Sequence, residues 1–281
     1  MGRALLMLTP ALLVVVGLFG GGLAVSVAES VGYFEGGALT LRHYSGLAED
    51  AEVRASLGIT LGVAVAVTAL SATGGLLIAV VLRPQGRWTT MLQVPVAIPH
   101  LTFAFVLMHL LSPSGVVARV GHALGWTPEP ADFPELIQDP YGIGIVIAYV
   151  LKETPFVAVM LVAVLARVGR GYDDAARTLG AGRWQRFRHV TLPLLWAPLI
   201  SSSVFVFAYV LSAFEAPFLL GRPYPAMIPV VAQRRFVSPD LAERPEAVAL
   251  AVTASALTAV LVWIYLRFAR NVLGIKDPVI F

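Results

Sequence analysis

The stretch DDAARTLGAGRWQRFRHVTLP, Asp173 to Pro193, is a small basic island between two of the most apolar blocks of the chain. Its first half reads as a short helix. Asp173 suits the position just before a helix, where a side-chain oxygen takes up a free amide, and acids at this end oppose the positive pole of the dipole. Gly180 can take the left-handed backbone that ends a helix. From Ala181 to Val190 a second helix is expected, with Trp184, Phe187 and Val190 three residues apart as one apolar stripe and Arg183, Gln185 and Arg186 elsewhere. Pro193 predicts a restart, because the residue before a proline is pushed out of the helical region. Segment 169–195 thus reads as two short helices about a glycine hinge, stiff enough to pass on a push. The same features also fit an amphipathic hairpin resting on anionic headgroups.

What flanks this island decides its surroundings. The 281 residues are 58% hydrophobic and 13% charged, with a mean hydropathy of +0.80. Soluble domains run near about 45–50% apolar and about 25% charged, so this chain could not cover a water-facing surface. Membrane-spanning helices resolve the excess, each needing about 20 mostly apolar residues. Six stretches qualify: residues 4–28, 56–82, 90–111, 142–168, 198–219 and 247–268. Irregular backbone is not tolerated against lipid, so these are helices, and Pro95 and Pro99 predict a sheltered kink in the third. The first is longer than the apolar part of a signal peptide and no clear cleavage site follows, so it reads as a retained helix. Cysteine is absent, which removes disulfides and Cys-based metal or redox sites. The fold class expected is an all-α membrane protein of one domain.

Basic residues set the orientation. With both termini in the cytoplasm, the inside segments hold Arg3, Arg83, Arg87, Arg167, Arg170, Arg177, Arg183, Arg186, Arg188, Arg267, Arg270 and Lys276. The outside segments hold fewer: Arg42, Arg54, Arg119, Arg222, Arg234, Arg235 and Arg244. Acids run the other way, with only Asp173, Asp174 and Asp277 inside. The island therefore faces the cytoplasm of a multi-pass cell (inner) membrane protein. The outside segments 29–53, 112–141 and 221–246 are long, which fits either a docking surface for an outside partner or plain connectors. The prolines and apolar residues of GRPYPAMIPVVAQRRF, Gly221 to Phe236, suggest a folded or re-entrant cap.

Ionisable residues inside spans are costly, about 2.5–3.5 kcal/mol on insertion scales, and normally face a cavity or each other. Lys152 and Glu153 fall near the middle of the fourth span, and Glu215 near the outer end of the fifth. On one reading the three line a translocation pathway, where the carboxylates suit a cation. On the other, Lys152 is structural glue; Glu153, about 100° round the helix, is a poor partner, so Glu215 or a carbonyl is the better one. His100 and His109 read as polar packing, and Gly74-Gly75 as a place of close helix approach. No metal site and no catalytic residue is expected.

The island resembles a known family. Asp174-Ala175-Ala176, three residues, Gly180, nine residues, Val190, one residue, Leu192-Pro193 is similar to the EAA loop of ABC importer permeases, Glu-Ala-Ala, three residues, Gly, nine residues, Ile, one residue, Leu-Pro. Asp174 stands for Glu and Val190 for Ile. The position between the fourth and fifth of six spans also agrees, as do SLGITL from Ser56 and KETPF from Lys152. The resemblance implies the type I ABC importer permease (MetI-like) fold. It implies that Asp174, Ala175, Ala176, Gly180, Val190, Leu192 and Pro193 belong to a coupling element docking on a cytoplasmic ABC ATPase dimer. It further implies a second permease subunit, as a heterodimer or alternatively a homodimer, and an extracytoplasmic substrate-binding protein. ATP and Mg would sit on the ATPase, with no cofactor on this chain. KETPF and SAFEAPFLLG, from Ser212, resemble the polyamine, iron(III), thiamine and sulfate permeases, with a polyamine the leading substrate; a phosphonate or other small solute is the alternative.

Other classes fit less well. An ion-coupled secondary transporter is expected to carry an inverted repeat, and none is evident between residues 1–140 and 142–281. The chain has no Gly-x-x-x-x-Gly-Lys-Ser/Thr loop, His-Glu-x-x-His or Gly-x-Ser-x-Gly, so neither ATP hydrolysis nor intramembrane catalysis is expected of it alone. Nucleic acid is not an expected partner; the lipid bilayer is.

Overall fold

The computed structural model describes residues 2–35, 39–82, 86–129, 132–168 and 171–273, and among these no strand occurs. Arg83, Arg170, Lys276 and Asp277, which entered the orientation count, lie outside the described residues, as do the first two positions of segment 169–195. Helices α1 (Gly2–Leu12) and α2 (Gly21–Ser30) are joined by a π-helical stretch, Leu13–Gly20. Then come α3 (Arg42–Glu49), α4 (Ala51–Leu82), α5 (Gly86–Ala97), α6 (His100–Leu111) and α7 (Val116–Ala123). Helix α8 (Ile143–Val168) precedes the basic island, which forms α9 (Gly171–Thr178) and α10 (Arg183–Arg186). Last are α11 (Leu192–Ser212), α12 (Glu215–Leu220), α13 (Ile228–Phe236) and α14 (Arg244–Leu273). Six helical segments are long and apolar enough to cross a membrane: Met7–Ser30, Ala51–Val81, His100–Ala123, Ile143–Val168, Arg183–Ser212 and Leu241–Phe268.

The chain divides into two compact units. The first comprises Met1–Leu57 and Met227–Leu257. Its segment after Met227 is folded: α13 buries Ile228 and Val231 on one face and turns Arg235 towards acids. Arg235 pairs with Asp50 and Glu52, and lies 4.0 Å from Glu246; Arg234 pairs with Glu52, and Arg244 with Glu29 at 3.1 Å. Burial would raise the Asp50 carboxyl, but Arg235 and the amides of Glu52 and Val53 outweigh it and hold it below the usual carboxylate range. Desolvation would lower the Arg235 guanidinium, but the Asp50 and Glu52 carboxylates outweigh it and push it up.

The second unit comprises Gly58–Ala226 and Thr258–Phe281, and α8 is at its centre, touching α5, α6, α11 and α12. The buried face of α8 runs through Ile145, Ala148, Tyr149, Lys152 and Pro155, spaced three and four apart, so Lys152 and its neighbour Glu153 lie inside the core. Helix α11 packs against α8 and buries Leu195, Leu199, Ser202, Val206 and Val210. Gly75 of α4 comes so close to α8 that an added Cβ would stand 2.6 Å from Val157 Cγ1 and 3.0 Å from the Ala158 nitrogen. That is the close approach expected of Gly74-Gly75.

Four sequence expectations need correcting. Asp173 does not cap a helix from outside; α9 begins at Gly171 and Asp173 is in its first turn. Pro193 does not restart the fifth span. Helix runs unbroken from Arg183 to Ser212 because residues Phe187–Thr191 widen into a π turn, in which Leu192 N–H reaches back to the Phe187 carbonyl. A widened turn makes room for a proline ring and for the carbonyl it leaves without a donor. The fifth span also stops early. Ala213 turns extended (φ −74°, ψ 137°), and Glu215 opens a separate short helix, α12. The third span is more than kinked: α5 and α6 are separate helices, parted at Ile98-Pro99, with Pro95 inside α5.

Candidate coupling and pathway sites

The island is an elbow of two arms. Its bend is built from backbone chemistry. Ala181 N–H donates to the Ala176 carbonyl and Gly180 N–H to the Arg177 carbonyl, the paired bonds that end a helix when its next residue is left-handed. That residue is Gly180, with φ +80°. The second arm opens with the Gly182 N–H held by Gln185 Oε1 at 2.9 Å, and the first arm's last turn is closed by Thr178 Oγ1 donating to the Ala175 carbonyl.

A cross-tie holds the arms together. Arg186 Nη1 donates to Asp173 Oδ2 at 3.0 Å, and both side chains are largely buried. The next acid points elsewhere. Asp174 is 59% exposed and has only a loose contact with Arg177 one turn on, at 3.8 Å. Ala175 and Gly180 are exposed, while Ala176 and Val190 are half-buried along an open cleft of about 430 Å³ between the arms, also lined by Leu179, Gln185 and His189. Leu192 is half-buried and Pro193 exposed at the base of the second arm. Tyr172, Leu179 and Trp184 stand in the open, and Trp184 packs its ring at 5.5 Å from Phe187. Residue chemistry gives this element an exposed carboxylate only loosely paired, small side chains beside it and exposed apolar side chains, on two arms tied together.

The polar residues of the second unit's core form another cluster. Lys152 Nζ donates to the carbonyls of Pro95 (2.9 Å), Ile98 (2.5 Å) and Val96 (3.5 Å). An unsatisfied carbonyl in an apolar core costs several kcal/mol, so this ammonium serves groups that the helix break leaves bare. Glu153 Oε1 meets His100 Nε2 at 3.0 Å, and the imidazole packs 4.6 Å from the Tyr209 ring. Tyr149 meets Tyr209 edge-on at 6.0 Å. Glu215 is half-buried at the start of α12, near enough for its charge to act on both tyrosines. Among the described residues no cation pairs with Glu215. So the three candidate pathway residues differ: Lys152 is held by carbonyls, Glu153 by His100, and Glu215 has no cation partner among the described residues. His109 instead bonds the Phe105 carbonyl in its own helix. Among the described residues no group of acids and histidines could hold a metal ion.

Such a set of spans defines an all-α, multi-pass membrane protein. Residues 71–274 match the family of binding-protein-dependent transport system inner membrane components, and the chain belongs to that family. It is 27% identical over 256 residues to the inner membrane ABC transporter permease protein YnjC of Escherichia coli (strain K12), over 86% of this chain and 47% of YnjC. The chain thus spans about half the length of YnjC. To the sulfate transport system permease protein CysT of the same strain it is 28% identical, over 79% of this chain and 80% of CysT. The putrescine transport system permease protein PotI, also of that strain, is 27% identical over 75% of this chain and 70% of its own. In structure it is similar to a chain of a bacterial alginate ABC transporter, crystallised with an alginate pentasaccharide-bound periplasmic protein. That likeness has a TM-score of 0.78 at 19% identity and covers 96% of this chain and 94% of the other; the shared fold is the MetI-like permease fold.

Proposed function

We propose that this permease forms half of the solute pathway of an ABC importer and that its elbow, segment 169–195, is where a cytoplasmic ATPase dimer docks and pushes. The observation that carries the reading is the division of labour between Asp173 and Asp174. One carboxylate is spent on the internal tie to Arg186, while the next is exposed beside Ala175 and Ala176, free for a partner. The excess of basic residues on the termini and the elbow supports a cytoplasmic position for all three. ATP and Mg belong to the ATPase; this chain binds no cofactor and catalyses nothing. It works beside a second permease subunit, preferably a related chain and alternatively a copy of itself, and receives solute from an extracytoplasmic binding protein.

For the solute, the half-buried carboxylate of Glu215, which no cation pairs with among the described residues, favours a cation, and PotI is a putrescine transport system permease. A polyamine is therefore the preferred class. CysT, a sulfate system permease of similar identity, supports an anion as the second reading. Uptake of labelled putrescine and sulfate by proteoliposomes holding the whole transporter separates them. Putrescine uptake lowered about tenfold or more by Asp174→Lys, the equivalent of roughly 1.4 kcal/mol or more, with the chain still inserted, is the expected result. Uptake of sulfate alone would replace the polyamine reading. Full uptake by Asp174→Lys or Gly180→Pro would remove the docking role.

A further inference from the structure

Adjacent residues on a helix point about 100° apart, so Lys152 and Glu153 can reach two different neighbours from one turn of α8. They reach the two halves of the interrupted third span. Lys152 spends its three N–H donors on the carbonyls of Pro95 and Val96, near the end of α5, and of Ile98, just past it. Glu153 takes His100, the first residue of α6, on the far side of Pro99. The Lys152 ammonium also lies 5.9 Å from the centre of the Phe103 ring, one turn into α6. Both charged residues are buried, each 4% exposed. An ammonium with every donor engaged and almost no exposure is badly placed to meet a passing solute.

We propose that Lys152 and Glu153 are positioning residues that fasten the two halves of this span, Lys152 by the end of α5 and Glu153, through His100, by the start of α6. The pair fixes the angle between the halves, and with it the face that α6 offers to α12, against which it packs and on which Glu215 sits. It goes beyond the proposed polyamine reading and holds for any solute.

The chain has no cysteine, so spin labels can be placed without background. One goes at Met91 on α5 and one at Phe105 on α6, which are 59% and 52% exposed. Distances are read by pulsed electron spin resonance on the full chain in liposomes, diluted with unlabelled chain. A single narrow peak is expected for the parent and for Lys152→Arg, which keeps the carbonyl bonds. Lys152→Met and Glu153→Ala should each lose that peak to a broad or shifted distribution. Glu153→Gln, whose amide oxygen still accepts from His100, should keep it. An unchanged narrow peak in both Lys152→Met and Glu153→Ala, or a broad one in the parent, overturns the proposal. Should Lys152→Met not insert, the Glu153 pair decides: loss in Ala with retention in Gln supports it, and a narrow peak in both overturns it.

Discussion

At Gly75 the choice of residue is dictated by a neighbour's main chain. An alanine there would press against Val157 and the Ala158 nitrogen, and backbone cannot step aside as a side-chain tip can. Gly75→Ala should destabilise the purified permease by about 1–3 kcal/mol, the usual cost of overpacking, read from thermal unfolding in detergent. Gly74→Ala, meeting Thr154 Cγ2 at 3.0 Å, should cost less because a side chain can yield. Asp50 carries a pH dependence. Its folded carboxyl titrates below the unfolded value of about 3.9, so the tie to Arg235 contributes fully above that value and is lost as pH falls through the folded one. Arg235→Met should therefore cost about 1–2 kcal/mol at neutral pH, between an exposed and a buried pair. The gap to the parent should close once the acid is protonated, and a gap unchanged down to acid pH would contradict the assignment.

At the scale of elements, the proposed docking role asks that the elbow be stiff, and the tie between Asp173 and Arg186, thirteen residues apart across the Gly180 bend, is what would stiffen it. Asp173→Asn and Arg186→Gln should each weaken ATPase binding. In a double-mutant cycle the two should couple by about 1 kcal/mol or more, while fully additive losses would mean that the tie does not hold the arms. Part of this element is legible in the residues: the Gly180 bend follows from glycine's backbone freedom, the first arm from its acids and helix-forming run, and the second from its apolar spacing. The tie is not, because no periodicity relates an acid on one arm to an arginine on the next, and Asp173 looks equally good as a cap. The uninterrupted passage through Pro193 is hidden for a similar reason. A proline rule describes a regular α-turn, and the π turn at Phe187–Thr191 is a tertiary accommodation with no local signature. The prolines of the third span do announce trouble, yet the remedy, an ammonium from α8 more than fifty residues away, is a fact of packing.

For the whole molecule, composition leaves little choice. A chain this apolar must span a membrane, and the number of spans follows from length and hydropathy; the third is displaced, running His100–Ala123 where residues 90–111 are expected from the sequence. The fifth extends at its start because an amphipathic arm continues helically into it, and stops early where Ala213 leaves the helix. What the segments do depends on whether the elbow meets the ATPase on the cytoplasmic side. Leu179, 87% exposed at the bend of a chain without cysteine, allows a direct reading. A Leu179→Cys permease is treated with a membrane-impermeant maleimide in right-side-out and inverted vesicles, with and without the assembled ATPase. The account predicts labelling only in inverted vesicles, and its loss when the ATPase is bound. Labelling from the outside, or labelling from within that the bound ATPase leaves untouched, would contradict it.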